Sequence, residues 1–470
     1  MDLSSLTGGK QPQSDKTPAH EYTAQVESPV INGEVKLVMD ADGLRMTALF
    51  DTADITFIDM SALEFADYTV LIQTADGSFA FSRMGKWAQP FYGALCDAYN
   101  KAVMKALFLK GEPILTARGE YMYGENGHTC NGVAPMMIYE DCLCVLPPDM
   151  GARRIPLCFL TGMDKGDFEL TLRLAEDKYT FRKLGYNTEP FVNTVEKRLR
   201  ALRDKTLATV RELDTSLSTQ QASAISRLIP EGAAAAMGQL AAAAPSFVSM
   251  LEARLAAGRA AESYKAFQEL CDPKQIYIGF KKNAATDNES DSGGIMDNLS
   301  GLLGGLLGGD QATELGTVRD PYMLWMIAPS PSGSACAVEF AGDVDDAAAT
   351  FIYRFDGDFD SFARQLNIAL EAIGFKREVI RLTDEELRRS EYSHYLMATQ
   401  RNAALQLIRS SFVGRVIHNG AWRQKLEELW SAPAAVTANA EADSPKQFCT
   451  FCGEKLQQDV RFCGQCGAKL

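Results

Sequence analysis

The sequence predicts an α+β multidomain protein: repeated small antiparallel β-barrels, each capped by a C-terminal helix, then a helical insert and a metal-clamped tail. Three observations carry that expectation. A stretch of the first half repeats at an offset of 100 residues (167 − 67 = 100), an Ala- and Leu-rich block follows it, and four cysteines close the chain in two Cys-x-x-Cys pairs. A chain of 470 residues has room for about three domains of ~150 residues each. Its 46% apolar content is ample for packed cores. The formal net charge of -14 argues against a nonspecific nucleic-acid or anionic-membrane binder, whose surfaces are basic. No window approaches about 18 continuous apolar residues, and the N-terminus MDLSSLTGGKQPQSDK lacks a signal-peptide core. The expected location is therefore cytoplasmic. The cysteines agree with a reducing compartment: of 11, four have metal spacing and seven are scattered.

The repeat sets the first two domains. Asp67–Leu107 aligns without gaps on Asp167–Leu207, matching Phe81 with Phe181, Gly85 with Gly185, and Pro90-Phe91 with Pro190-Phe191. Each copy reads as an alternating strand, a polar turn, a second strand and a helix. A basic residue, Arg83 or Lys183, stands two before the glycine. Proline in the opening helical turn loses no hydrogen bond, because that N–H has no intrahelical partner. The apolar seams Phe91, Leu95, Tyr99, Ala102 and Phe191, Val195, Leu199, Leu202 put one helix face onto a sheet. A third copy is expected where the helix near Asp360 carries Phe362, Leu366, Leu370 and Ile373 at similar offsets. There Asp358 or Asp360 replaces proline as the start signal.

Upstream of the first helix, short strands are expected at Glu34–Met39, Leu44–Phe50, Ile55–Asp59, Leu63–Phe65, Tyr68–Thr74 and Ser78–Ser82. Six or seven antiparallel strands plugged by one C-terminal helix resemble the pleckstrin-homology-like (PH-like) fold. That likeness rests on element order. It implies barrels that bind proteins, peptides or lipid head groups, and the acidic balance lowers the lipid option.

The expected organisation is a disordered N-terminus at 1–22, PH-like repeats at 23–109 and 110–208, and a helical insert at 209–272. A third PH-like repeat at 273–380 carries a Gly-rich loop at 283–310. A helical segment at 381–431, a linker at 432–446 and the metal-binding tail at 447–470 follow. Trp422 and Trp430 read as docking residues for the last helix. The linker APAAVTANAEADSP is a flexible tether. The Gly/Leu loop is too short to span a bilayer, and its segment 293–309 leaves a peripheral membrane contact open.

The tail carries the most specific chemistry. Cys449, Cys452, Cys463 and Cys466 form two pairs separated by ten residues. Each two-residue spacing lets both thiolates reach one ion, and two such knuckles complete a tetrahedron. The stretch FCTFCGEKLQQDVRFCGQCGAKL resembles the zinc-ribbon family. Four thiolates fill the coordination shell, so one structural Zn2+ is expected and no open position for substrate.

Other constellations carry less. His128 and Cys130 with Cys142 and Cys144 could be a second metal site, but buried thiols explain them better. Asp356, Asp358 and Asp360 imitate the start of a calcium loop, yet Ser361 and Asn367 stand where the turn glycine and bidentate Glu belong. No Walker, H-E-x-x-H or G-x-S-x-G pattern occurs. The reading is a non-enzymatic intracellular adaptor for protein partners, without nucleic acid. A nucleic-acid-associated regulator using the ribbon, and an unrecognised enzyme, are the alternatives.

Overall fold

The computed structural model describes residues 21–125, 128–174, 177–258, 260–282, 322–341, 349–389 and 391–431. The Gly-rich loop, the linker and the ribbon expected from the sequence lie outside them. The first unit contains β1 (Glu21–Glu27), β2 (Gly33–Met39), β3 (Gly43–Thr47), β4 (Thr52–Thr56), β5 (Met60–Ala66), β6 (Thr69–Thr74), β7 (Gly77–Ser82) and α1 (Ala88–Ala106). The second contains β8 (Leu115–Glu125), β9 (His128–Ile138), β10 (Cys142–Val145), β11 (Arg153–Pro156), β12 (Leu160–Lys165), β13 (Glu169–Leu174), β14 (Asp177–Arg182) and α2 (Thr188–Leu213). The opening strand begins at Glu21, inside the span expected to be disordered.

Both units weave one antiparallel pattern. The first sheet runs β4-β3-β2-β1-β7-β6-β5 and the second β11-β10-β9-β8-β14-β13-β12, the same order one repeat later. Period-2 patterning explains the inner faces, since Val35, Leu37, Val70, Ile72, Phe79 and Phe81 all point inward and are buried. Among the described residues neither sheet closes through hydrogen bonds, because β4 and β5 remain edges in the first and β11 and β12 in the second. The expected closed barrels are therefore open sheets plugged by helices. Phe91, Leu95, Tyr99 and Val103 fill the first, and the expected seam residue Ala102 sits one position off the buried stripe.

Local detail repeats as well. Arg83 and Lys183 have φ of 58° and 53°, and Gly85 and Gly185 have φ of 55° and 59°. That left-handed turn suits glycine and aims each helix back across its sheet. Phe81 meets Phe91, and Phe181 meets Phe191, with ring centroids 6.0 Å apart in both. One edge strand of the first unit is covered by the second: Leu63 N–H donates to Pro148 O at 2.9 Å and Met150 N–H to Ser61 O at 3.1 Å. Covering an edge blocks pairing with foreign strands.

The third layer departs from the expected third copy. The chain continues through α3 (Thr219–Leu228), β15 (Ala235–Ala236), α4 (Met237–Ala243), α5 (Pro245–Ala257), α6 (Ala261–Leu270) and β16 (Tyr277–Lys282). Next come β17 (Tyr322–Pro329), β18 (Ala335–Ala341), β19 (Ala349–Arg354), α7 (Phe359–Ala372), α8 (Glu378–Arg381) and α9 (Asp384–Leu387). The last elements are α10 (Ser393–Arg401), α11 (Ala403–Ser411), β20 (Phe412–Ile417) and α12 (Trp422–Ser431). The described strands pair in the order β15-β16-β17-β18-β19-β20, a meander unlike the first two sheets. Its outer strands come from the stretches read as a helical insert and a helical segment. β20 adds to the open edge of β19, which satisfies backbone groups that a helix there would leave unpaired.

Every residue of β17 is buried. One face of this sheet (Trp325, Ile327, Val338, Phe351, Tyr353) shares a core with α7, α8, α10, α11 and the first unit. The opposite face (Leu324, Met326, Ala337, Ile352, Val416) packs on α3–α6 and α12. Asp358 caps α7, its Oδ2 accepting from Ser361 N–H at 2.8 Å, and the seam Phe362, Leu366, Leu370, Ile373 is buried. Trp422 and Trp430 dock α12, and Trp422 Nε1–H donates to the buried Thr350 hydroxyl at 2.8 Å. Asn367 ties α7 to the insert: its Oδ1 accepts from Ala234 N–H at 2.7 Å and its Nδ2–H donates to Ala234 O at 3.0 Å. Among the described residues, no helix is long and apolar enough to cross a membrane.

Gly279 marks a close approach of insert and sheet. A methyl group there would stand 2.6 Å from Gly232 O and strike the Trp325 indole, whose Nε1–H donates to Gly232 O at 3.3 Å. Gly279→Ala should therefore destabilise the chain by about 2 kcal/mol. A urea titration followed by circular dichroism checks this; an unchanged midpoint would show that the contact yields.

Candidate binding surfaces and metal centre

The two repeated units present aromatic side chains to solvent at equivalent turns. Tyr68, between β5 and β6, is 75% exposed, and Phe168, between β12 and β13, is 77% exposed. The ladder pairs Val70 with Phe81 and Leu170 with Phe181, so each turn lies beside the turn that leads into the unit's helix. Those helix-entry turns expose Trp87 at 56% and Tyr186 at 104%. Lys86 Nζ sits 5.4 Å from the Trp87 ring centroid, and Arg83 and Lys183 are exposed beside them. Tyr68 holds φ of 57°, an uncommon conformation for a bulky residue. Large aromatics standing out of well-packed sheets are a feature of recognition surfaces.

The units are joined by buried charge. Arg154 on β11 makes a two-pronged bond to Glu371 on α7: Nη1–H to Oε2 at 2.6 Å and Nη2–H to Oε1 at 2.8 Å. Nη2–H also donates to Asp141 at 3.1 Å. The side chains of Arg154 and Glu371 are 5% and 11% exposed. Burial opposes the charge on Arg154, but Glu371 and Asp141 outweigh it and hold the guanidinium firmly protonated. For Asp141, burial raises the carboxyl and Arg154 overcomes it, leaving it below the ordinary carboxylate range.

A second contact joins all three layers. The Tyr99 hydroxyl on α1 donates to Asp149 O at 3.1 Å and accepts from Arg401 Nη2–H on α10. Sequence reasoning singled out Tyr99 as a seam residue and missed Arg401. Beside this junction lies a cavity of about 710 Å³, lined from the end of α1, the second sheet, α7, α10 and α11.

The other sequence candidates resolve into structural roles. Cys142 and Cys144 are fully buried, and burial pushes both thiols upward. Cys144 pairs opposite Met137, seven residues along β9 from Cys130, which is about 23 Å of strand. Cys130 and Cys144 therefore cannot share one ion. Asp358 is a helix cap, and Asp360 accepts from the Tyr277 hydroxyl. Among the described residues, no three His, Cys, Asp or Glu side chains converge as a metal site.

Cys449, Cys452, Cys463 and Cys466 lie outside the described residues. Residues 448–470 match the zinc-ribbon domain family, which supports zinc binding by the tail. Four soft thiol donors in two Cys-x-x-Cys pairs suit Zn2+. No curated protein matches the chain.

Removing one partner of a buried pair leaves the other charge unmatched. Glu371→Gln should lower stability by about 3 kcal/mol, whereas Arg154→Met with Glu371→Leu should recover most of it. Denaturant titration of the three chains checks the pair. Equal stability of wild type and Glu371→Gln would show that Asp141 alone suffices.

Proposed function

We propose that this chain is a non-enzymatic cytoplasmic adaptor that binds protein partners through its two seven-stranded units and its zinc ribbon. The observation that carries the reading is the repeated rim: Tyr68 with Trp87, and Phe168 with Tyr186, offered by sheets of identical strand order. Aromatic residues supply large contact area at low entropic cost and dominate interface energetics. Seven antiparallel strands followed by one helix in each unit support a PH-like reading, and the offset of 100 residues supports their origin by duplication.

In this reading one structural Zn2+ is held by Cys449, Cys452, Cys463 and Cys466. The metal supplies the folding energy of a module too small for its own core. With four thiolates bound it has no open position, so it shapes a surface and performs no chemistry. The segment 432–446 tethers the ribbon, so a partner held by a rim meets the ribbon at raised effective concentration. A net charge of -14 supports protein partners over nucleic acid.

The test is a pull-down with intact chain, a chain carrying Tyr68→Ser, Trp87→Ser, Phe168→Ser and Tyr186→Ser, and a Cys452→Ser chain. The rim variant should lose its partners at least ~10-fold while keeping its melting temperature. Cys452→Ser should lose its zinc, measured by elemental analysis, and weaken capture without altering the rest. Undiminished recovery of the same partners by the rim variant would refute the adaptor reading. A saturable, salt-sensitive gel shift lost with the tail would favour a nucleic-acid regulator instead.

A further inference from the structure

We propose that the cavity at the junction of the three layers binds an organic carboxylate with an aliphatic body, its head group seated on Arg401. This inference is independent of the adaptor reading. Arg401 lines the cavity yet is only 1% exposed. Its hydrogen-bond partners among the described residues are all neutral: the Tyr99 hydroxyl, Met150 Sδ and Gln400 Oε1. Its Nε–H donates to nothing, and among the described residues no carboxylate lies within ion-pair distance. A guanidinium withdrawn from water without a counter-charge is costly, and proteins pair such groups or bind an anion with them.

The charged lining of the cavity is predominantly cationic. Among the described residues, four cations line the cavity, Arg153, Arg154, Lys178 and Arg401, against Asp177. Arg154 is matched by Glu371 and Asp141, whereas the hydrogen-bond partners of Arg401 are neutral. The exposed Lys178 adds a field that draws anions inward.

Size and lining select the body of the ligand. About 710 Å³ lies within the ~300–1,000 Å³ typical of small-molecule sites. Leu107, Phe108, Ile368 and Leu405 give the wall its apolar character. A planar carboxylate matches the guanidinium fork, and an alkyl chain matches these side chains. Because the walls come from all three layers, a bound molecule would also fasten them together.

Titration calorimetry on the intact chain tests this, with dodecanoate as probe and dodecanol as its uncharged comparator. Dodecanoate should bind saturably at one site, and dodecanol at least ~10-fold more weakly. Arg401→Met should lose at least ~10-fold for dodecanoate with little change for dodecanol. Since Arg401 also contacts Tyr99, Ala403→Trp provides a second variant that fills the cavity and leaves those contacts in place. It should abolish binding while the melting temperature holds. Absence of saturable dodecanoate binding, equal affinity for dodecanol, or undiminished binding by Ala403→Trp would each overturn the proposal.

Discussion

A sheet buried on both faces dictates the rest of this architecture. β17 reads Tyr-Met-Leu-Trp-Met-Ile-Ala-Pro with no charged position and every residue buried, so both faces need cover. One face is covered by α7, α8, α10 and α11 together with the first unit, the other by α3–α6 and α12. The helical stretches before and after the sheet thus supply the cover of its two faces. The cover in turn fixes where the two seven-stranded units stand, and with them the aromatic rims.

The joints between layers are polar, and their chemistry differs. Arg154 is matched by Glu371 and Asp141 in a geometry that only one docking of the second unit on α7 allows. Buried pairs of this kind add little net stability over well-packed apolar residues. Their effect here is on orientation: a shifted docking would strand the charges. At Tyr99, the hydroxyl both donates and accepts, so the first helix, the 149 region and α10 meet at one oxygen. Among the described residues, the hydrogen-bond partners of Arg401 at that joint are neutral, in contrast to the acids that meet Arg154.

Local periodicity was legible from the sequence. Strand alternation placed Val35, Leu37, Val70 and Ile72 inward, and helical spacing placed Phe91, Leu95 and Tyr99 on the sheet. The offset of 100 residues announced two units with one strand order, and the cysteine spacing announced the ribbon. Pairing between distant segments was not legible. β15 is two residues long, and β20 sits among helices without clean alternation, so neither advertises a strand. The apolar run of β17 shows no period, which hides a central strand from a pattern search. Arg401 reads as an ordinary cation in the last turn of a helix. Only the fold brings it to Tyr99, 302 positions away.

Hydrogen exchange read by mass spectrometry is the most direct measure of the doubly covered sheet. Amides of Tyr322–Pro329 and Ala349–Arg354 should exchange last, through global unfolding, and long after those of the edge strand Thr52–Thr56. Exchange of the two central strands as fast as that edge would contradict a core built on both their faces.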